Sequence, residues 1–408
     1  MLTRMRHALQ RYPRQYWLLL LGTLLSATGG AMIWPFLTIF LRAQLGISRT
    51  TVTILLSINA IMGIISSFAA GPITDRLGRK GILLASLLAG VVYYVAMGWG
   101  NHSLWVYAFL LAFWGAFNPL YGVGANAMIA DMVLPEERTD AYALLRTIQN
   151  VGVAIGPIAG GYLADISYTT AFLAAASTFA FFSLLTLFTF KETLTTGTGA
   201  APQWSGAGYG RVFQDRQFLG FVLCFAVTNM SAALIFILLP DYVNQYYGLS
   251  ERMSGQIITT NALMCIFLQY GIARLLRNAR PLPVLGAGAV FYAVGVGSVV
   301  FGRTLTDFII SMAITTTGEL IMTPTATTLA ANLAPADMRG RYMSIYGLTW
   351  PIAQSIGPIL GGVLGDTAGA PSIWYLGFVY GMVSAVGFWW IGWRLKKRPT
   401  QGGNAAVI

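Results

Sequence analysis

Glu319 stands near the midpoint of an apolar run that extends from about 306 to 332. An ionised carboxylate is costly at such a place. It is suited to loading and releasing a proton or to binding a cationic substrate group; the competing role is a protonated acid hydrogen-bonded between helices as structural glue. Arg146 lies about two turns into another such run, 138 to 164. It is deep enough to line a cavity yet close enough to the edge for its guanidinium to snorkel out. It can join a charge network with Asp131 or Asp140, or hold an anionic substrate group. Amides and aromatics in other runs complete the candidates for a cavity: Trp34, Phe36, Asn118, Tyr121, Asn126, Asn229, Phe236, Tyr346, Trp350 and Gln354. Amides buried at Asn118, Asn126 and Asn229 must find partners, which favours a wet cavity over a lipid face. With so few fixed charges, the set suits an amphipathic or lipophilic small molecule better than a sugar.

Other chemistries lack their residues. His7 and His102 lie near the N-terminus and in a loop, and Cys224 and Cys265 fall inside apolar runs, where they pack as small hydrophobes. No metal site, cofactor or catalytic cluster is expected from them. A Gly-Lys-Ser/Thr phosphate loop is also missing, so ATP is not the expected driver.

The elements that must position these groups are transmembrane helices. Charged residues make up 10% of the 408 and hydrophobic residues 56%, too little polar surface for a water-soluble globule. A hydrocarbon core of about 30 Å needs roughly 20 helical residues to cross. Twelve runs of that order occur: 16–41, 51–73, 81–99, 104–130, 138–164, 169–190, 217–242, 253–276, 282–302, 306–332, 340–365 and 371–393. Arg4, Arg6, Arg11 and Arg14 precede the first, which is read as a retained helix rather than a cleaved signal. A cytoplasmic N-terminus places 21 of the 25 Lys and Arg residues on the inner side, leaving Arg42, Arg49, Arg252 and Arg303 outside. Loop Lys/Arg bias sets orientation, so both termini are expected in the cytoplasm of a multi-pass protein of the plasma or inner membrane. The formal charge of +11 then reads as topology plus attraction to lipid headgroups, with no nucleic-acid partner. The polar stretch 191–216 is the expected linker between an N-terminal bundle, 1–190, and a C-terminal bundle, 217–398, with 399–408 an unstructured tail.

Half of the chain repeats. IGPIAGG at Ile155–Gly161 returns as IGPILGG at Ile356–Gly362, 201 positions later, and the same shift carries Arg138 onto Arg339 and Asp165 onto Asp366. Parallel repeats of membrane-embedded halves build transporters that rock around a central site. Between the second and third runs stands GPITDRLGRK, Gly71 to Lys80. It resembles the signature loop of the major facilitator superfamily, with Gly71, Asp75, Arg76, Gly78, Arg79 and Lys80 at the pattern's places. Its second copy, near Gly271, keeps Arg274, Arg277 and Arg280 but has no Asp. The fifth run carries Gly152, Gly156, Pro157, Gly160 and Gly161, and is similar to the motif of the drug/proton antiporters in that superfamily. The eleventh repeats it as Gly357, Pro358, Gly361 and Gly362. The alternative is a tight glycine-mediated helix contact with no bearing on transport direction.

The resemblance covers nearly the whole chain and implies an all-α integral membrane protein of twelve helices in two pseudo-twofold-related six-helix bundles. It implies a conformational latch at Asp75, asymmetric because the second copy lacks the acid. It also implies a cavity lined by the first, fourth, seventh and tenth helices with their neighbours, alternating access, and a monomer. The nearest subfamily implies proton-coupled multidrug efflux. One residue departs from it: where drug antiporters often carry an Arg four residues before a Gly in the fourth span, Leu111 precedes Gly115. A transporter of one metabolite, such as a sugar, amino acid or organic anion, is the second reading. A membrane-embedded enzyme or sensor is a remote third.

Overall fold

The computed structural model describes residues 12–99, 103–134, 137–193, 209–276, 278–335 and 338–396, and every regular element among them is helical. The first run forms α1 (Arg14–Ile33), one 3₁₀ turn at Trp34–Phe36 and α2 (Leu37–Leu45). Pro35 accounts for the interruption, since it has no N–H for the carbonyl four residues back. Then come α3 (Arg49–Leu77), α4 (Arg79–Gly98), α5 (Leu104–Met132), α6 (Arg138–Ile166) and α7 (Tyr168–Thr189). A short α8 (Tyr209–Gln214) leads into α9 (Arg216–Tyr247), α10 (Glu251–Leu276), α11 (Pro281–Ser298), α12 (Leu305–Leu333), α13 (Arg339–Gly347), α14 (Thr349–Thr367) and α15 (Ser372–Lys396).

Counting α1 and α2 as one, ten helices among the described residues are long and apolar enough to cross a membrane. The remaining two of the twelve spans are the repeat-related fifth and eleventh. The fifth, α6, carries Arg138, Asp140, Arg146, Gln149 and Asn150 in its first half. The eleventh is divided at Leu348 between α13 and α14. Pro351 is the physical reason, because its ring nitrogen cannot donate to the Gly347 carbonyl. Pro157 and Pro358, by contrast, sit inside helices that continue through them.

Residues 194–208 of the expected linker and the tail 399–408 lie outside the described residues. The linker's last part is not loose chain but α8, whose Val212 is fully buried. Asp215 then caps α9, accepting the amides of Gln217 and Phe218 at 3.1 and 3.0 Å, and takes a hydrogen bond from the Tyr342 hydroxyl at 3.0 Å.

The described residues fall into two compact units. The first holds the chain up to Phe40, the stretch from Ile58 to the linker, and Ser250–Gly255; the second holds Leu41–Ser57, the chain from the linker to Leu249, and the chain from Gln256 on. Within the first, α1 packs on α6 and α7, and α4 on α5 and α7. Within the second, α9 packs on α14 and α15, and α11 on α12 and α15. A shift of 201 residues maps the first set of pairings onto the second. Glycines make the closest of these contacts possible. Gly156 and Gly160 of α6 lie against Ala31 and the Met32 backbone of α1, and Gly357 of α14 lies against Met230 of α9, the residue 201 positions beyond Gly29.

Candidate functional site

The membrane-embedded carboxyl is built into the second unit. Half-buried Glu319 lies on α12, and Asn261 of α10 donates its amide to Glu319 Oε2 at 2.7 Å and to Thr316 Oγ1 at 3.0 Å. Thr316 is fully buried and Asn261 is 9% exposed. From the α11 side, buried Tyr292 is close enough to interact electrostatically with Glu319, Cys265 and Tyr346. The α12 backbone beside the carboxyl is held against α11 at two facing glycines, for a Cβ on Gly318 would come within 2.7 Å of the Gly288 carbonyl oxygen. The carboxyl is thus positioned by a glycine seam on one flank and an amide on the other.

In the first unit, the signature-loop residues Gly71, Asp75 and Arg76 belong to the end of α3. The side chains of Asp75 and Arg76 lie outside the described residues. Gly78, at φ 79°, makes the turn into α4, a left-handed conformation that favours glycine. The Glu192 carboxylate fits against it and accepts the amides of Arg79 and Lys80 at 2.9 and 3.1 Å, so a negative charge faces the positive end of α4. Arg79 Nε pairs with Asp131 Oδ2 of α5 at 3.2 Å, and Lys80 Nζ donates to the carbonyls of Leu187 and Phe190 at the end of α7 at 2.9 and 2.8 Å. These described members of the motif bind together helices of one unit.

The remaining sequence candidates separate into groups. Arg146 is exposed on α6. Asn118 and Asn126 of α5, expected as buried amides, are exposed as well; their helix turns those positions away from its packed face. Tyr121, half-buried on α5, is hydrogen-bonded to Thr23 of α1 at 2.5 Å, and because the Thr23 hydroxyl donates to the Leu19 carbonyl it accepts from the phenol. Asn229 is buried and donates to Thr349 Oγ1 at 3.3 Å. Tyr346 stacks on Phe225, with centroids 5.3 Å apart, and its hydroxyl meets Thr327 of α12 at 3.1 Å. Phe236 and Trp350 meet edge-on at 6.4 Å. Phe36 is fully buried, while Trp34 and Gln354 are half-buried. In the second unit, Asn229, Phe236, Tyr346 and Trp350 therefore gather where α9 meets α13 and α14.

Sequence reading passed over the strongest charge cluster. Asp241, 3% exposed near the end of α9, takes two hydrogen bonds from Arg42 Nη1, at 2.7 and 2.8 Å, and one from Arg49 Nε at 2.8 Å. Gln245 accepts from both guanidiniums, and Tyr246 lies 5.1 Å beneath that of Arg49. At the next residue of α3, the Thr50 amide and hydroxyl donate to Asp366 Oδ2 at 2.9 and 2.8 Å. Partial burial opposes ionisation of Asp366, but these two bonds and the neighbouring Arg49 prevail and hold its carboxyl below the usual carboxylate range. The available signal was compositional: Asp241 is the one acid in the run 217–242, and Arg42 and Arg49 are two of the four basic residues assigned outside.

Against known proteins, the family model described as Major Facilitator Superfamily matches residues 19–346 and 221–407. Multidrug resistance protein MdtH of Escherichia coli is 25% identical over 394 residues, covering 94% of each chain. A Na(+), Li(+), K(+)/H(+) antiporter of Planococcus maritimus is 27% identical, covering 83% of this chain and 87% of its own. Among solved structures, the nucleoside transporter NupG superposes with a TM-score of 0.80 at 12% identity, covering 92% of this chain and 99% of that one. At that identity the likeness speaks for the fold alone.

Proposed function

Because this chain belongs to the major facilitator superfamily, and is a multi-pass membrane transporter of that type, we propose that it works by alternating access as a proton-coupled exporter of small amphipathic or lipophilic compounds. The observation that carries the reading is Glu319: a carboxyl within the tenth span, oriented by Asn261 and backed by the glycine seam. Loading and unloading one proton there couples a gradient to the conformational cycle without any chemical change in the cargo, so no enzymatic step is invoked. The few fixed charges and the aromatic set around Tyr346 and Trp350 favour amphipathic cargo, as does similarity to a multidrug resistance protein over nearly the full length. Both termini are assigned to the cytoplasm by the Lys/Arg distribution.

The deciding experiment is uptake of a panel of cationic dyes and metabolites into proteoliposomes, with and without an imposed pH gradient. The reading predicts gradient-driven accumulation of several unrelated dyes, lost in Glu319→Gln. Gradient-driven transport that survives Glu319→Gln removes the carboxyl from the mechanism. The second reading is a transporter of one metabolite such as a sugar, amino acid or organic anion, and exposed Arg146 favours the organic anion among these. It predicts a narrow substrate profile and loss of transport in Arg146→Ala, whereas wild-type rates in that variant remove Arg146 from the site.

A further inference from the structure

The direction of the hydrogen bonds around Glu319 bears on which ion the carboxylate can take. Thr316 Oγ1 spends its single proton on the Met312 carbonyl, 2.8 Å away. Towards Asn261 it can therefore only accept. Asn261 must present its NH₂ group here, and the two protons of that group go to Thr316 Oγ1 and Glu319 Oε2. Bonding alone dictates the orientation of the amide.

We propose that Asn261 is the ion-selectivity determinant of the Glu319 site, admitting a proton and excluding alkali-metal cations. The inference rests on the reading of Glu319 as the coupling group. A proton needs one lone pair of the carboxylate and no other ligand. A lithium, sodium or potassium ion must exchange its hydration shell for a set of protein oxygens. At this place, Thr316 Oγ1 and Glu319 Oε2 are both covered by N–H groups of Asn261, whose positive ends point at the position a cation would need. Of the ionisable groups near the site, Tyr292 of α11 is within electrostatic reach of Glu319, and Cys265 of α10 and Tyr346 of α13 are within reach of Tyr292 in turn. Among the described residues no three His, Cys, Asp or Glu converge.

The test uses the purified full-length protein and needs no substrate. Infrared difference spectroscopy follows the C=O stretch of protonated carboxyl groups against pH, and the band lost in Glu319→Gln reports that residue. The titration is run in choline, lithium, sodium and potassium chloride at one ionic strength. The proposal predicts the same midpoint in all four salts. In Asn261→Asp the donor is replaced by an oxygen ligand, and competition should lower the midpoint by about one pH unit for each tenfold rise in sodium. A wild-type midpoint that falls when a metal cation replaces choline overturns the selectivity while leaving Glu319 an ion-binding group. A cation-insensitive Asn261→Asp overturns the role of Asn261, and if that variant does not fold the wild-type comparison decides. No titrating band assignable to Glu319 overturns the coupling reading, and the proposal with it.

Discussion

Two acids among the described residues illustrate how burial sets the worth of a charge. Asp241 is shared by two guanidiniums, and its own side chain and that of Arg49 are each 4% exposed, while that of Arg42 is 21% exposed, so removing the carboxylate leaves one desolvated and one partly desolvated cation without their counter-charge. Breaking a buried pair by deleting one partner costs about 3–5 kcal/mol. Asp241→Asn should accordingly lower thermal stability in detergent far more than Asp131→Asn, whose pair with Arg79 is 31% exposed on the acid side and worth about 0–1 kcal/mol. Equal losses in the two variants would contradict this assignment of burial. Asp366 gives a pH signature instead. Its carboxyl is held below its ordinary value, so it contributes stability above that ordinary value and the contribution disappears as pH falls through the lowered one. Asp366→Asn should be less stable than the wild type at neutral pH, with the two curves converging in acid; a constant offset down to the lowest pH would exclude the Thr50 interaction as its source. Neither Asp241 nor Asp366 was legible as a partner in the sequence. Local patterns report what lies three or four residues away, whereas Arg42 and Asp241 are separated by 199 positions.

Helices were far more legible, because a hydrophobic run of lipid-crossing length has few alternatives. The glycine motifs were also visible, and the structure gives their two copies unequal neighbours. A Cβ on Gly160 would meet the Met32 backbone of α1, whereas on Gly361 it would meet side-chain carbons of Leu234 and Leu238. Side chains can rotate aside and backbone cannot, so Gly160→Ala should cost more than Gly361→Ala in thermal stability and folded yield. The reverse order would mean that α1 and α6 can separate more easily than their packing indicates. The division of the eleventh span was legible in principle but masked by the motif. The Gly-Pro signature draws attention to Pro358, inside α14, while Pro351 interrupts the span four residues upstream at Gly347. Asn118 and Asn126 show the opposite limit: a helix assigns them to α5, but which face is packed depends on partners that only the fold specifies.

At the scale of the whole molecule, the repeat predicts two contiguous halves, yet the second unit includes Leu41–Ser57 from the first half of the chain. That segment brings Arg42 and Arg49 to Asp241, Thr50 to Asp366, and the Ser57 hydroxyl to the Ser355 carbonyl at 2.7 Å. Gly362 receives it closely, with Thr50 Cα only 3.1 Å from where a Cβ would stand. A fragment beginning at 204 would therefore lack part of its own compact unit and leave Asp241 buried without a cation, a costly arrangement. Expressed alone, the 204–408 fragment should be poorly folded, and co-expression with 1–203 should restore a stable pair that purifies together through a tag on either fragment. Asp241→Ala in the second fragment should reduce that recovery severalfold, while Asp131→Ala in the first should change it little. A 204–408 fragment as thermostable alone as in the co-expressed pair would show that Leu41–Ser57 adds nothing to the second unit, and would reassign the unit's stability to the pairings of α9 with α14 and α15.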